Sequence, residues 1–63
     1  RSLYVLGDDN ELVVLGNFTS NATSVAFPAT TGTWIDYITG ETVEVEATVL
    51  VNANSYRIFV KHN

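Results

Sequence analysis

The sequence predicts a small all-β domain, an antiparallel arrangement of six or seven strands. Three observations carry this. Short runs rich in Val, Ile, Thr and aromatic residues alternate with Gly, Asn, Asp, Ser and Thr clusters, at the roughly eight- to twelve-residue spacing of a sandwich or barrel. No window places apolar residues at helical intervals, and β-branched residues dominate wherever a helix could be drawn. At 63 residues and 46% hydrophobic content, the chain can fold around one core and is not of a disordered composition.

Taken in order, Leu3–Leu6 reads as a first strand and Gly7–Asn10 as its hairpin turn, with Gly7 and Asn10 available for positive φ. Glu11–Phe18 is the second strand. Its centre, Leu12-Val13-Val14-Leu15, is apolar at consecutive positions, which predicts a central strand covered on both faces. Gly16 within it predicts a bulge or a close backbone approach. After a Thr19-Ser20-Asn21 turn, Thr23, Val25 and Phe27 form one face of a third strand that Pro28 ends. The fourth strand is Thr33–Tyr37, followed by a turn at Thr39-Gly40-Glu41. Thr42–Ala47 alternates, with Val43, Val45 and Ala47 inward and Thr42, Glu44 and Glu46 in water. Thr48–Val51 is a short strand or an extension of that edge. Asn52–Ser55 turns into the last strand, Tyr56–Lys61, with Tyr56, Ile58 and Val60 on one face and Arg57, Phe59 and Lys61 on the other.

Charge and composition exclude several functions. Seven acidic and three basic residues give a net charge of −4. Such a chain is not drawn to a nucleic-acid backbone or an anionic membrane surface, and three cations cannot form a basic stripe. Apolar runs of four residues fall far short of the roughly 20 that span a bilayer as a helix. Cysteine is absent and histidine occurs once, so disulfides and a structural zinc do not supplement the small core. The absence of cysteine fits any compartment. The chain begins at Arg1 and is at once apolar, without the pattern of a signal peptide. The expectation is a start inside a longer protein.

Few residues are candidates for chemistry. Glu44 and Glu46 share a strand face, but a strand without a wall desolvates neither, and glycoside hydrolysis needs one carboxyl with a raised pKa; a solvated, pairing-resistant edge is expected. Asp8-Asp9-Asn10-Glu11 lacks the ligand spacing of a calcium loop and reads as an acidic turn. His62 has no nucleophile elbow to serve and is expected at a fraying end. Asn17-Phe18-Thr19 and Asn21-Ala22-Thr23 fit the N-glycosylation pattern, yet Asn17, at the end of a buried strand, is expected to bond loop backbone. No metal and no cofactor is expected. There remains Trp34, which alternation places opposite in direction to Tyr37. Tryptophan is mostly buried, so Trp34 is expected to pack in this core or against a neighbouring domain. Sugar stacking on Trp34 is the alternative, and Trp34 is the one candidate carbohydrate-binding residue.

In order and spacing, "ELVVLGNFT", a strand closing on "FP", "GTWIDYITGET" and the final "SYRIFV" resemble the C-terminal all-β domain of alpha-amylase-type enzymes, glycoside hydrolase family 13. The resemblance runs from about Leu3 to Val60. It implies a small Greek-key β-sandwich that packs on the catalytic (β/α)8 barrel of the same chain, in an enzyme acting on starch or maltodextrins. The compartment of that parent is left open by the residues; the resemblance slightly favours the periplasm or the extracellular medium. The family's catalytic carboxylates lie on the barrel, so the resemblance implies no catalytic residue here. Asn17 matches the family's strand-end Asn; Trp34, Asp36, Thr39 and Gly40 match its Gly-x-Trp-x-Asp and Thr-Gly positions, which look structural there. Two departures stand out. Gly16 precedes Asn17 where the family runs straight on from an aliphatic residue, implying a bulge, and Val49–Asn54 replaces a Leu-x-Pro-Pro segment.

The expectation is therefore one non-catalytic accessory domain over residues 1–63, partnered by a barrel and, at one remove, by an alpha-glucan. An autonomous carbohydrate-binding module and an immunoglobulin-like structural module of a surface protein are the alternatives.

Overall fold

The computed structural model describes residues 1–63. Its frame is a pair of eight-residue strands, β2 (Asn10–Asn17) and β7 (Ser55–His62), paired antiparallel along their whole length from Asn10 opposite His62 to Asn17 opposite Ser55. β1 (Ser2–Leu6) flanks β2 on one side. β4 (Gly32–Asp36) pairs with the other edge of β7, and β5 (Thr42–Val45) pairs with β4. The five-stranded sheet therefore runs β1-β2-β7-β4-β5. β3 (Thr23–Ala26) and β6 (Thr48–Val51) form a separate two-stranded sheet laid over it. All pairings are antiparallel. Only β1–β2 and β4–β5 are hairpins among sequence neighbours; every other connection crosses between the sheets. The chain is an all-β antiparallel Greek-key sandwich of seven strands.

Between the sheets lie Val13 and Leu15 of β2, Phe59 of β7, Trp34 of β4, Val45 of β5, Val49 and Val51 of β6, and Phe27 just past β3. Phe27 packs edge-on against both other large rings, with centroids 5.1 Å from Trp34 and 5.8 Å from Phe59 and interplanar angles of 77° and 79°. That geometry sets the positive ring edge against the negative ring face. Arg57 and Lys61 share the phase of Phe59 on β7 and so also point to the core side. Arg57 lies 4.7 Å from the Phe59 centroid, and Lys61 lies 5.6 Å from that of Trp34. The two cations cap the open ends of the aromatic cluster.

The structure departs from several sequence expectations. Pairing through Gly16 is continuous, Leu15 opposite Arg57, Gly16 opposite Tyr56 and Asn17 opposite Ser55, so no bulge forms. The glycine instead makes room for Phe18, whose ring atoms would stand 3.1 Å from a Cβ placed at residue 16. In the first turn neither Gly7 nor Asn10 has positive φ. Thr48–Val51 is a strand of the other sheet rather than an extension of β5, and Ala47 is exposed, because the chain changes sheets at Glu46–Ala47. The last strand runs through His62, held by a 2.6 Å contact between His62 Nδ1 and Asn10 Oδ1. Finally, β2 is central but covered on one face only: Val13 and Leu15 are fully buried, whereas Leu12 and Val14 are half-buried on a face that nothing overlies.

Replacing Phe27 by Leu removes both edge-on ring contacts while keeping an apolar side chain. It is expected to cost about 1–3 kcal/mol, read as a lower urea midpoint at unchanged slope.

Candidate functional site: an open apolar sheet face

The polar groups that the sequence singles out are built into the fold. Asn17 is 4% exposed. Its side-chain amide donates to the carbonyls of Asn21 (2.8 Å), Val51 (3.0 Å) and Asn52 (3.2 Å). Its Oδ1 accepts from the Thr19 N–H and hydroxyl, at 3.0 and 2.7 Å. One side chain thereby ties the end of β2 to the next loop and to the exit of β6, as expected of a strand-end Asn bonding loop backbone. An amide nitrogen engaged in this way is not open to a glycan.

Asp36 plays the equivalent role at the end of β4. Its Oδ1 accepts from the Ile38 and Thr39 N–H groups at 2.9 and 3.1 Å, shaping the turn that Gly40 completes at φ 78°. Its Oδ2 accepts from Arg57 at 3.1 Å. Burial pushes the carboxyl pKa up, but the Thr39 N–H, the Arg57 guanidinium and the Ile38 N–H outweigh it, and the net result lies below the ordinary 3.8. An acid held ionised by fixed donors is unsuited to donating a proton. The shallow groove of about 400 Å³ beside it is lined by Ile38, Leu50, Asn52 and Tyr56 among others. Its two charged groups, Asp36 and Arg57, are already bonded to each other.

Trp34 is 1% exposed and donates its indole N–H to the Thr30 carbonyl at 2.9 Å. It packs in the core, and neither ring face is open for a sugar to stack on. Glu44 and Glu46 are exposed at the β5 edge, where Glu44 accepts from the Thr33 hydroxyl. No three His, Asp or Glu side chains converge on a common point. Every buried side-chain nitrogen and oxygen has a hydrogen-bond partner, so no buried polar group is left aimed at a ligand.

What remains unsatisfied is apolar. Because Val13, Leu15, Trp34 and Phe59 face the core, the residues between them face the other way. Register aligns these into two cross-sheet rows. Leu3, Val14 and Ile58 form one; Val5, Leu12, Val60 and Ile35 form the other. At the end of the face, Phe18 lies over Gly16 beside Tyr56. Leu3, Val5, Phe18 and Tyr56 are 57, 46, 74 and 58% exposed, and no charged side chain interrupts the rows. Soluble monomers rarely leave so continuous an apolar sheet face in water. The sequence carries the signal for it in the consecutive apolar positions of β2, which only a strand covered on both faces requires. Which partner strands extend the face depends on the register. No family model, curated protein or solved structure matches this chain.

Two measurements probe this architecture. Asn17→Ala leaves the Thr19, Asn21 and Val51 backbone groups without their partner. It is expected to cost about 2 kcal/mol, lowering the thermal midpoint by roughly 10 °C. Because the Asp36 pKa is depressed by folding, its contribution is complete above 3.8 and is lost as pH falls through the lower folded-state value. Urea denaturation of Asp36→Asn is therefore expected to show a smaller loss of stability than the original chain between about pH 5 and about pH 2.

Proposed function

We propose that residues 1–63 form a non-catalytic accessory domain that docks, through the outer face of its five-stranded sheet, onto a larger apolar partner domain. The observation that carries this reading is that face: rows of Leu, Val and Ile from β1, β2, β7 and β4, half-buried or exposed and without a charge among them. Each square ångström of it removed from water is worth about 25 cal/mol, so covering it is the largest favourable change open to this surface. The polar clusters, by contrast, are consumed in holding loops.

The resemblance to the C-terminal domain of glycoside hydrolase family 13 gives the partner a form, the (β/α)8 barrel of an alpha-amylase-type enzyme. In this reading the barrel carries the carboxylates and handles the alpha-glucan, while this domain covers and stabilises an apolar patch of the barrel. The Asn17 hub and the Trp34–Asp36 segment occupy the positions that the resemblance treats as structural.

The test uses the longer enzyme chain with Ile58→Lys, which sets a charge in the middle of the face without entering the core. The expected result is unchanged kcat/KM at low temperature and an activity half-life at elevated temperature shortened roughly tenfold, the effect of about 1.4 kcal/mol on an unfolding barrier. An unchanged half-life defeats the docking assignment. Residues 1–63 alone are expected to release no reducing ends from maltoheptaose; turnover above the blank would sink the non-catalytic assignment.

A further inference from the structure

The free edge of β1 is a second surface, distinct from the outer face. All five of its residues are exposed, among them Leu3 at 57%, Tyr4 at 38%, Val5 at 46% and Leu6 at 66%. None is charged. The opposite edge of the same sheet is β5, where Glu44 stands exposed and an exposed Glu46 follows directly. Charged side chains on an edge strand discourage pairing with another chain, and an edge without them invites it. One edge of this sheet is guarded and the other is not.

The hydrogen-bond phase of β1 says which groups the edge offers. Arg1 and Gly16 exchange bonds in both directions, each 2.8 Å, and the Gly7 N–H bonds the Asn10 carbonyl at 2.8 Å. In an antiparallel ladder hydrogen-bonded pairs recur at every second residue. Arg1, Leu3, Val5 and Gly7 therefore spend their backbone groups on β2. The N–H and C=O groups of Ser2, Tyr4 and Leu6 point away from it, to the open edge.

We infer that β1 pairs antiparallel with β1 of a second copy of this chain, about a twofold axis through Tyr4. This register sets Ser2 opposite Leu6 of the second copy, Tyr4 opposite Tyr4, and Leu6 opposite Ser2. All three outward-pointing residues then fall into hydrogen-bonded pairs, for about six new main-chain bonds; a shift by two residues leaves one of the three without a partner. Leu3 meets Val5 of the second copy in the closer, non-hydrogen-bonded pairs that favour apolar contact. The same register brings Arg1 opposite Gly7 of the second copy, beside Asp8 and Asp9 of that turn. The other two cations are engaged within the chain, Arg57 with Asp36 and Lys61 over Trp34. The charge match at each end is therefore made by Arg1. An isologous pair of this kind closes on itself, and the two five-stranded sheets become one of ten strands with both outer faces on the same side. The outer face remains open, so this inference does not rest on the docking reading above.

Five-residue edges bury less than the roughly 1,200 Å² of a standard interface, so the pairing is concentration-dependent. The test is amide hydrogen exchange by NMR on residues 1–63, from about 20 µM to about 2 mM. Protection of the Tyr4 and Leu6 amides is expected to rise roughly tenfold across that range, while Leu3 and Val5, bonded to β2 throughout, stay constant. Sedimentation should show a monomer–dimer equilibrium over the same range. Tyr4→Pro removes an N–H that β2 does not use and is expected to leave a folded monomer at every concentration. Tyr4→Glu, which sets two like charges across the axis and beside the Glu11 carboxylate that the Tyr4 hydroxyl bonds at 2.6 Å, should do the same without altering backbone freedom. Tyr4 and Leu6 exchange that ignores concentration overturns the inference, as does a folded Tyr4→Glu variant that dimerises as the original chain does. A dimer whose Tyr4 amide stays unprotected joins through another surface and overturns it too.

Discussion

The sandwich depends on Phe27. Chain crossings between the sheets leave only two strands, β3 and β6, to cover a sheet of five. Phe27 follows the first of these strands and sets its ring edge against both Trp34 and Phe59. Without that contact the small sheet would meet the large one mainly through Val49 and Val51, a thin seal for a core of eight buried apolar residues. Arg57 and Lys61 complete the seal, their charged heads reaching water while they lie over Phe59 and Trp34. Asn17 then pins the β2–β3 and β6–β7 loops, where the chain changes sheets, and Asp36 pins the β4–β5 turn, both by bonding main-chain groups.

The mismatch of two strands over five accounts for the exposed surfaces. The lid lies over the middle of the large sheet, and β1 falls outside it, exposed along its full length. The opposite face has no lid. A domain of this size buries only about 60% of the surface its unfolded chain exposes, and here the remainder is concentrated as aliphatic rows and an uncharged edge. Its buried polar groups are all paired, so what the fold leaves unsatisfied is apolar area and the free backbone of an edge strand.

Much of the fold was legible in the strands themselves. β2, β4 and β7 fall within a residue or two of their expected limits because β-branched and aromatic runs end at Gly, Asn and Ser clusters. The alternation of β7 was also legible, but not which phase is inside. Tyr56, Ile58 and Val60 make the more apolar face, yet the core side is the one that carries Phe59 between two cations. That choice follows from Trp34 lying on the same side of β4, and the pairing of β4 with β7 is not written in either segment. Gly16 was read as a bulge or a close backbone approach because glycine in a strand signals several different backbone needs; what approaches is the Phe18 ring, from two residues on. Whether Thr48–Val51 is a strand of its own or an extension of β5 was left open for a related reason, since Glu46–Ala47 carries no Gly or Pro to mark a change of sheet.

By itself the sequence determined the class of the fold, the strand periods, the shortage of cationic and metal-ligating residue types, and a β2 apolar on both faces. These properties follow from side-chain chemistry and local backbone preference. The tertiary structure decided which face of each strand meets the other sheet, that Trp34 is enclosed rather than offered to a sugar, and that the second apolar face of β2 stays open. Those outcomes depend on register and on how much area two strands can cover, quantities that exist only once distant segments lie side by side.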